Sequence, residues 1–245
     1  MHYFNEPEHY FEDDWEDEPA DKVSKIKPLS TEALCQEIMY GKNYEHEERF
    51  YDYDLYANID KIVLLEGLTS LTIFFTKTEV QEKALAKLSQ IKTLTKLKLE
   101  PIDFSFDITK VPDSIFTLKT LKNLHISNIK ITEIPSAIYH LKNLEILTVI
   151  QTEITALPES ILELTKLKVL ELEINHLTHL PEHIGKLKNL ENICVFSNEL
   201  SELPESIGDL VSLQKLDIRW NAAKIIESKS VAKLKNKVNL EVLTF

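Results

Sequence analysis

Glycine is scarce in this chain, and this scarcity limits the kinds of site that the chain can build. Only 4 of the 245 residues are glycine. Nucleotide-binding enzymes rely on glycine-rich turns that let the backbone approach phosphate groups, so the composition disfavours that class and its cofactors. The sequence also lacks any run of about 18 apolar residues, which a membrane-spanning helix would need. We therefore expect no cofactor and no membrane partner.

Cysteine is also rare, with Cys35 and Cys194 far apart in the sequence. A secreted scaffold of this size would usually carry a disulfide framework, so two distant thiols favour a reducing compartment. The first residues after Met1 include no basic start, and no apolar stretch follows them, so we expect no secretion signal. Both observations predict a cytoplasmic protein.

The net charge of −12 is concentrated in the first quarter of the chain. Residues 1–57 hold 16 acidic and 5 basic residues, whereas residues 58–245 hold 24 acidic and 23 basic residues. A phosphate-binding surface needs clustered lysine and arginine, and no basic stripe is evident in the sequence of the body. We therefore expect no nucleic-acid partner.

A proline recurs every 23 residues, at Pro112, Pro135, Pro158, Pro181 and Pro204. The residues around it recur as well, as in the segment Leu157-Pro158-Glu159-Ser160-Ile161. Two leucines follow, and then an alternation such as Leu170-x-Leu172-x-x-Asn175-x-Leu177. A fixed period of this length indicates a stacked repeat architecture.

Each part of this unit has its own structural preference. Proline fits the first turn of a helix, where no amide donor is needed, and the acid after it lies at the positive end of the helix dipole. The period-two alternation predicts a short strand with every second side chain buried. One strand and one helical turn cannot bury their apolar faces alone, but stacked copies can.

On these residues the chain resembles the leucine-rich-repeat family, in its 23-residue subtype of bacterial proteins and Ras-binding scaffold proteins. The resemblance implies an α/β solenoid, a leucine-rich-repeat horseshoe with a parallel concave sheet and short convex helices. It also implies a ladder of asparagines that bind loop backbone groups. Asn175, Asn198 and Asn221 keep that ladder, whereas the equivalent earlier positions are Ile102, Ile129 and Thr152.

The resemblance suggests a division of the chain into five parts. Residues 1–29 form an acidic segment whose composition predicts disorder; its interleaved aromatic residues equally suit a recognition segment that docks on a partner or on the body of this chain. Residues 30–54 form a short helix, from Ser30 to Tyr40, and a linker. Residues 55–93 are degenerate repeats that cap the core, with a strand over Ile59-x-x-Ile62-x-Leu64 and a helix that starts at Thr78 and ends near Gln90. Residues 94–223 are regular repeats, interrupted by an insertion at 104–107. Residues 224–245 are a last irregular repeat that ends in an edge strand.

In this fold the strand residues between the buried leucines point out of the concave face. We expect exposed apolar residues there to form one partner-binding patch with a charged rim, because contiguous exposed apolar surface marks interaction sites. The alternative is that a neighbouring loop or the N-terminal segment covers the patch. The candidate residues are Ile146, Ile150, Val169, Glu171, Glu173, Ile174, Phe196, Asp217, Arg219 and Trp220.

The expected repeat geometry argues against two catalytic sites and one metal site. Cys194 would lie between Glu171 and Asp217, whose charges raise the pKa of a thiol, and His125 would be about 14 Å away. His176, His179 and His183 would point in divergent directions rather than converge on a metal. The carboxylates of Glu171, Glu173 and Asp217 would lie on an open, wet surface without a pocket.

The leading hypothesis is thus a non-catalytic scaffold that binds a protein partner through its concave face. One alternative is an inhibitor or immunity-type protein that occludes a partner enzyme. Another is an effector whose N-terminal region carries an unrecognised activity. We also expect that Leu240 to Phe245 forms an edge strand able to pair with a second copy in a homodimer.

Overall fold

The fold is a nine-stranded parallel sheet in which the strands follow one another in sequence order from β1 to β9. A computed structural model describes residues 47–75, 82–101, 108–227, 229–234 and 240–244. Strands in the N-terminal half are five or six residues long, and those from β6 onward have three. Their bounds are β1 Glu47–Tyr51, β2 Ser70–Phe75, β3 Lys96–Pro101, β4 Asn123–Ser127, β5 Ile146–Ile150, β6 Val169–Glu171, β7 Asn192–Cys194, β8 Lys215–Asp217 and β9 Glu241–Leu243.

Helical segments connect the strands on the other side of the core. The longest is α1, Asp52–Ile62, which follows β1; α2, Glu82–Lys87, continues into a 3₁₀ turn, and α3 spans Lys229–Leu234. In the regular repeats the helices are 3₁₀ rather than α, at Asp113–Thr117, Ser136–His140, Glu159–Glu163, Ile184–Lys186, Glu205–Asp209 and Ala223–Glu227. No helix among these described segments is both long enough and apolar enough to cross a membrane.

Proline sets where most of these 3₁₀ helices begin. Pro112, Pro135, Pro158 and Pro204 each occupy the residue before the helix, with φ between −58° and −69°. A proline ring holds φ near −65°, so the chain enters the turn already in a compatible conformation. At the fourth of the five prolines the helix is shorter and its cap is His183 instead. The sequence thus marks the turn correctly, but the turn is tighter than an α-helix.

The core lies between the sheet and the helical side and consists almost entirely of leucine and isoleucine. Each strand from β2 to β8 contributes a leucine or isoleucine directly beside its neighbour's, as in the register Leu147–Leu170–Ile193–Leu216. These side chains are no more than 1% exposed. The predicted α/β solenoid with a parallel sheet and short helices is confirmed.

The asparagine ladder is present where the sequence places it. The Nδ2 group of Asn198 donates to the carbonyl oxygens of Leu172, Val195 and Phe196, and its Oδ1 accepts from the backbone N–H of Leu177. Asn175 and Asn221 make the same kind of contacts. Each amide therefore ties its own repeat to the preceding one.

The N-terminal part of the fold differs from the sequence-based expectation. The strand predicted over Ile59, Ile62 and Leu64 is wrong, because the first two residues lie on α1 and Leu64 follows it. Their spacing of three residues places both on one helical face, where they are buried. The first strand is instead β1, within the range expected to be helix and linker. In the helix predicted to end near Gln90, Ala84, Leu85 and Leu88 are buried.

Other expectations for the ends fall outside the described residues. These are the helix over residues 30–40, the acidic segment over residues 1–29, the helix start at Thr78 and the insertion at 104–107. The final strand, predicted from Leu240 onward, is present as β9 and forms one edge of the sheet.

Stacking also produces a basic stripe, and the expectation that the body has none is therefore wrong. The five residues that precede each strand from β3 to β8 line one edge of the solenoid, because all strands are parallel. These six segments hold seven lysines and two glutamates, a net charge of +5. We call them the lysine edge, defined by Lys92, Lys119, Lys122, Lys142, Lys166, Lys168 and Lys188.

Candidate interaction surface

The sheet face away from the core, here called the concave face, presents side chains in rows that run across the strands. One row passes through Thr148, Glu171, Cys194 and Asp217, which are aligned in the strand register. Two residues further along the chain from each of these lies a second row, which includes Ile150, Glu173, Phe196 and Arg219. The residue after this second row turns the chain into the loop.

Phe196, Arg219 and Trp220 form a contact group at the carboxyl ends of β7 and β8. The rings of Phe196 and Trp220 lie 6.2 Å apart between centroids and are tilted by 50°. The guanidinium carbon of Arg219 lies 5.5 Å from the centroid of the Phe196 ring, within the range of a cation–π contact. Trp220 nevertheless remains 63% exposed. With Ile174, which is 43% exposed, these residues are called the anchor cluster below.

One residue in each loop that follows β4 to β8 has a left-handed backbone. This row comprises Asn128, Gln151, Ile174, Ser197 and Trp220, with φ between 51° and 59°. Asparagine tolerates such a conformation, whereas a β-branched or bulky residue is strained in it. Ile174 and Trp220 thus occupy positions that their own side chains disfavour, and both point large apolar groups into solvent.

The apolar residues do not form the single patch that the sequence predicts. Ile146 and Val169 lie side by side at the start of β5 and β6 and are only half-buried, as is Ile150. The distance along β5 from Ile146 to Ile150 is about 13 Å at the usual strand rise. The polar row with Thr148 and Glu171 lies between them, so the apolar surface is divided into two strips.

The charged residues also differ from the expected solvated rim. Glu171 and Asp217 are buried, at 7% and 4% exposure, and each has a neighbour that satisfies it. Thr148 donates its hydroxyl to Glu171 at 2.9 Å, and the Arg219 side chain binds both carboxylate oxygens of Asp217. These two acids therefore position other residues, and Glu173 is the half-buried acid of the three.

The contacts of Cys194 make its thiol unreactive as a nucleophile. Its thiol donates to a carboxylate oxygen of Glu173 at 2.9 Å. Burial raises the pKa of the Cys194 thiol far above its ordinary value, and the charge of Glu173 raises it further. A thiol is nucleophilic only as the thiolate, so the arrangement opposes covalent chemistry at this residue. The sequence identified Asp217 and Glu171 as the source of this effect, but the contacting carboxylate belongs to Glu173.

A second polar group lies on the N-terminal half of the concave face. One carboxylate oxygen of Glu100 accepts the hydroxyl proton of Ser127 at 2.7 Å and lies 3.2 Å from the ammonium of Lys98. His125 Nε2 lies 3.9 Å from the same oxygen. Burial, together with the charge of Lys98, lowers the pKa of His125 to about 3. With its pKa lowered in this way, the imidazole is neutral at neutral pH.

The three histidines of the loop after β6 do not converge. His176 Nδ1 lies 2.8 Å from Glu199 Oε1 of the next repeat, whereas His179 Nδ1 lies 3.0 Å from Thr178 Oγ1. His183 caps the 3₁₀ helix on the helical side. Across the described residues, no three histidine, cysteine or acidic side chains are grouped so that they could hold a metal ion.

A groove that the sequence did not reveal runs along the loops that follow β4 to β7. Its volume is about 340 Å³, and its lining includes the left-handed residues Asn128, Gln151, Ile174 and Ser197. The groove borders the anchor cluster through Ile174. Its only sequence signal is the recurrence of these positions every 23 residues, which does not reveal their backbone conformation.

Comparison with known proteins agrees with this fold. The family model described as a leucine-rich repeat region matches residues 67–245. A search of the curated proteins found no match. Among solved structures, a leucine-rich-repeat protein of Leptospira interrogans is 25% identical, with a TM-score of 0.55, over 76% of this chain and 50% of its own.

Two Listeria monocytogenes structures show the same fold. Internalin C2 is 22% identical, with a TM-score of 0.59, over 75% of this chain and 74% of its own. InlP is 17% identical, with a TM-score of 0.56, over 82% of this chain and 61% of its own. This chain spans half the length of the Leptospira protein. Since the family model covers well over half of the sequence, the chain belongs to the leucine-rich-repeat family.

Proposed function

We propose that this chain is a non-catalytic protein-interaction scaffold that binds a protein partner through the anchor cluster on its concave face. The observation that carries this proposal is the placement of Ile174 and Trp220. Both are large and apolar, both are exposed, and both have a left-handed backbone. Strained residues of this kind persist where the surrounding structure enforces them, and they concentrate at binding sites.

The anchor cluster has the chemistry of an interface centre. Tryptophan and arginine are over-represented among the residues that contribute most to protein binding. Arg219 is held by Asp217 and lies over Phe196, so little side-chain freedom remains to be lost on association. Glu173 and the half-buried Ile150 extend this surface along β5 and β6. We assign Glu171 and Asp217 positioning roles, and Ile146 with Val169 a second, smaller contact strip.

Family membership favours a binding role over catalysis, since repeats of this kind present extended surfaces to partners. Cys194, with its raised pKa, and His125, with its lowered pKa, lie three strands apart in the register and form no nucleophile–base pair. The inhibitor alternative differs from the scaffold proposal because it requires that the partner be a single enzyme, bound tightly. The effector alternative rests on residues 1–57, most of which lie outside the described part of the chain.

Affinity purification with matched variants tests the proposal. Wild-type protein should retain a partner that Phe196→Ala/Trp220→Ala loses. The control is Tyr139→Ala/Val211→Ala, which removes two exposed apolar side chains away from the concave face and should retain the partner. Equal retention by both double variants would overturn the assignment of the anchor cluster.

Self-association through β9 is a separate proposal. The backbone of Glu241 donates to Gln214, and that of Leu243 accepts from Ile218. Alternate residues of a strand bond to opposite sides, so the N–H and C=O of Val242 face away from β8. A second copy that pairs with this edge would give a two-fold homodimer, and sedimentation velocity of the full chain over a range of concentrations would detect it.

A further inference from the structure

The lysine edge is built by contacts that repeat from one solenoid turn to the next. Asn143 donates its amide to the carbonyl oxygen of Lys119, and Lys166 donates to Asn143 Oδ1 at 2.7 Å. Asn189 in turn donates to the carbonyl oxygen of Thr165. These contacts hold equivalent residues of successive repeats side by side. The lysines of the edge are therefore neighbours in space although they are separated by about one repeat in sequence.

The positive charge of this edge is only partly compensated within the solenoid. Glu145 is shared between Lys122 and Lys168, at 3.5 and 2.8 Å, and Glu163 lies 3.2 Å from Lys142. All seven lysines of the edge are exposed. An ammonium has three protons to donate, so these lysines retain donors for further acidic groups.

Exposed apolar groups interrupt the lysines. Val211, which is 77% exposed, holds the position that Lys119, Lys142 and Lys188 hold in other repeats. The ring of Tyr139 is also exposed, and the ammonium of Lys142 lies 5.6 Å from its centroid. The edge thus offers cations together with apolar and aromatic surface, which suits a segment that carries both acids and aromatic residues.

The chain contains such a segment near its N-terminus. Residues 1–21 hold nine acidic residues and no lysine or arginine, with five interleaved aromatic residues at Tyr3, Phe4, Tyr10, Phe11 and Trp15. The sheet is entirely parallel, and the lysine edge lies where its strands begin. The chain therefore enters β1, at Glu47, from the side of the solenoid that carries the lysine edge.

The length of the intervening chain is sufficient. Residues 22–46 could span about 85 Å if fully extended. Lys92 and Lys188 precede β3 and β7, which lie about 10 and 29 Å from β1 at the usual strand spacing. All the lysines in this interval are within reach of residues 1–21.

From the charge complementarity and this point of entry, we infer that residues 1–21 dock onto the lysine edge of the same chain. The acidic side chains bind the lysine ammonium groups, and the aromatic side chains pack near Tyr139 and Val211. This contact leaves the anchor cluster open, so it is independent of the proposed partner site. It also assigns the lysine edge to an acidic peptide rather than to a nucleic acid.

The chain has two tryptophans, so Trp220→Phe leaves Trp15 as a single reporter inside the acidic segment. In this full-length background, Trp15 should be protected from acrylamide quenching at low salt. The quenching constant should rise about twofold in 1 M sodium chloride, where the Debye length falls to about 3 Å. The set Lys119→Gln/Lys142→Gln/Lys166→Gln/Lys188→Gln should remove the protection without added salt. Four exposed lysines elsewhere, changed as Lys61→Gln/Lys130→Gln/Lys224→Gln/Lys229→Gln, provide a control of equal charge that should retain it.

Zero-length carbodiimide cross-linking of the unmutated full chain gives a readout that does not depend on the variants folding. Acidic residues among 1–21 should cross-link to lysines of the lysine edge. When isotope-labelled and unlabelled protein are mixed, these cross-links should join residues of the same chain. Cross-links only between different chains, or to lysines without preference, would overturn the inference. Trp15 protection that is insensitive to salt and to the edge variants would also overturn it. So would binding of a 20-nucleotide DNA by the edge at physiological salt while Trp15 stays unprotected.

Discussion

Arg219 binds the carboxylate of Asp217 with both Nε and Nη2, and its own backbone N–H donates to the same side chain. Asp217 is buried while Arg219 is partly exposed. The buried carboxylate therefore needs the guanidinium to compensate its charge, whereas the guanidinium can also be solvated by water. The pair fixes the guanidinium over Phe196. The pair therefore determines where the exposed part of the anchor cluster lies.

Removal of the arginine should be costly because it strands a buried charge. We expect Arg219→Ala to lower the free energy of unfolding by about 2 kcal/mol. Combining it with Asp217→Leu should recover at least half of that loss, since Leu243 holds the equivalent position on β9. Urea denaturation of the two single variants and the double variant measures the coupling. Additive losses would show that the pair is not coupled.

The asparagine ladder should dominate the stability of the C-terminal repeats. Asn198→Ala leaves several buried backbone groups without their partner, and we expect a loss of about 3 kcal/mol. The exposed Asn189, whose amide donates only to the Thr165 carbonyl among the contacts described, is the control, with an expected loss below about 0.5 kcal/mol for Asn189→Ala. Thermal denaturation compares them, and losses of similar size would contradict a special role for the ladder.

The same ladder predicts a gradient of local stability along the solenoid. Because Asn175, Asn198 and Asn221 all lie in the C-terminal half, amide hydrogens in residues 165–222 should exchange more slowly than those in residues 94–150. Native-state hydrogen exchange, resolved by peptide, measures this directly. Equal protection in the two regions, or greater protection in residues 94–150, would contradict it.

Strain at Ile174 should be visible as a stability gain on substitution. Asparagine accepts a left-handed backbone, so Ile174→Asn should raise the free energy of unfolding by about 1 kcal/mol. Ile150 is half-buried on β5 and has no left-handed backbone, so Ile150→Asn should lower it. Urea denaturation distinguishes the two, and destabilisation by both variants would mean that Ile174 contributes packing rather than strain.

The sequence predicted the repeat well because its signals are local and periodic. Proline positions, paired leucines and the ladder asparagines each act within one turn, so their spacing indicates their structure directly. The strand predicted over Ile59 and Ile62 was wrong because a spacing of three residues fits a strand motif of this family as well as one face of α1. The residue types and their spacing therefore did not distinguish a strand from a helix at this position.

The site was harder to predict because burial on an open sheet depends on neighbouring rows. Glu171 and Asp217 are acidic and lie on the solvent side of the sheet, but Thr148 and Arg219 enclose them. The left-handed backbone of Trp220 follows from the turn in which it lies, not from tryptophan itself. The lysine edge went unnoticed since each lysine is isolated in sequence and acquires its neighbours only by stacking.

The low pKa of His125 makes stability depend on pH. Its ordinary pKa is near 6.5, and burial beside Lys98 lowers it to about 3. Between these values the unfolded chain binds a proton that the folded chain does not, so stability decreases as pH falls through 6.5. The expected loss from this residue between pH 7 and pH 5 is about 2 kcal/mol. Urea denaturation of wild type and His125→Gln should show a smaller pH dependence in the variant; identical dependence would mean that His125 is not responsible.

The most direct measurement is the affinity of the isolated partner for wild type, Trp220→Ala and Phe196→Ala, with the melting temperature of each protein determined in parallel. As interface anchors, both substitutions should weaken binding by about 2 kcal/mol or more. Trp220→Ala should leave the melting temperature nearly unchanged, because this side chain is 63% exposed. Wild-type affinity in both variants, combined with earlier melting, would show that these residues support the fold and that the partner binds elsewhere.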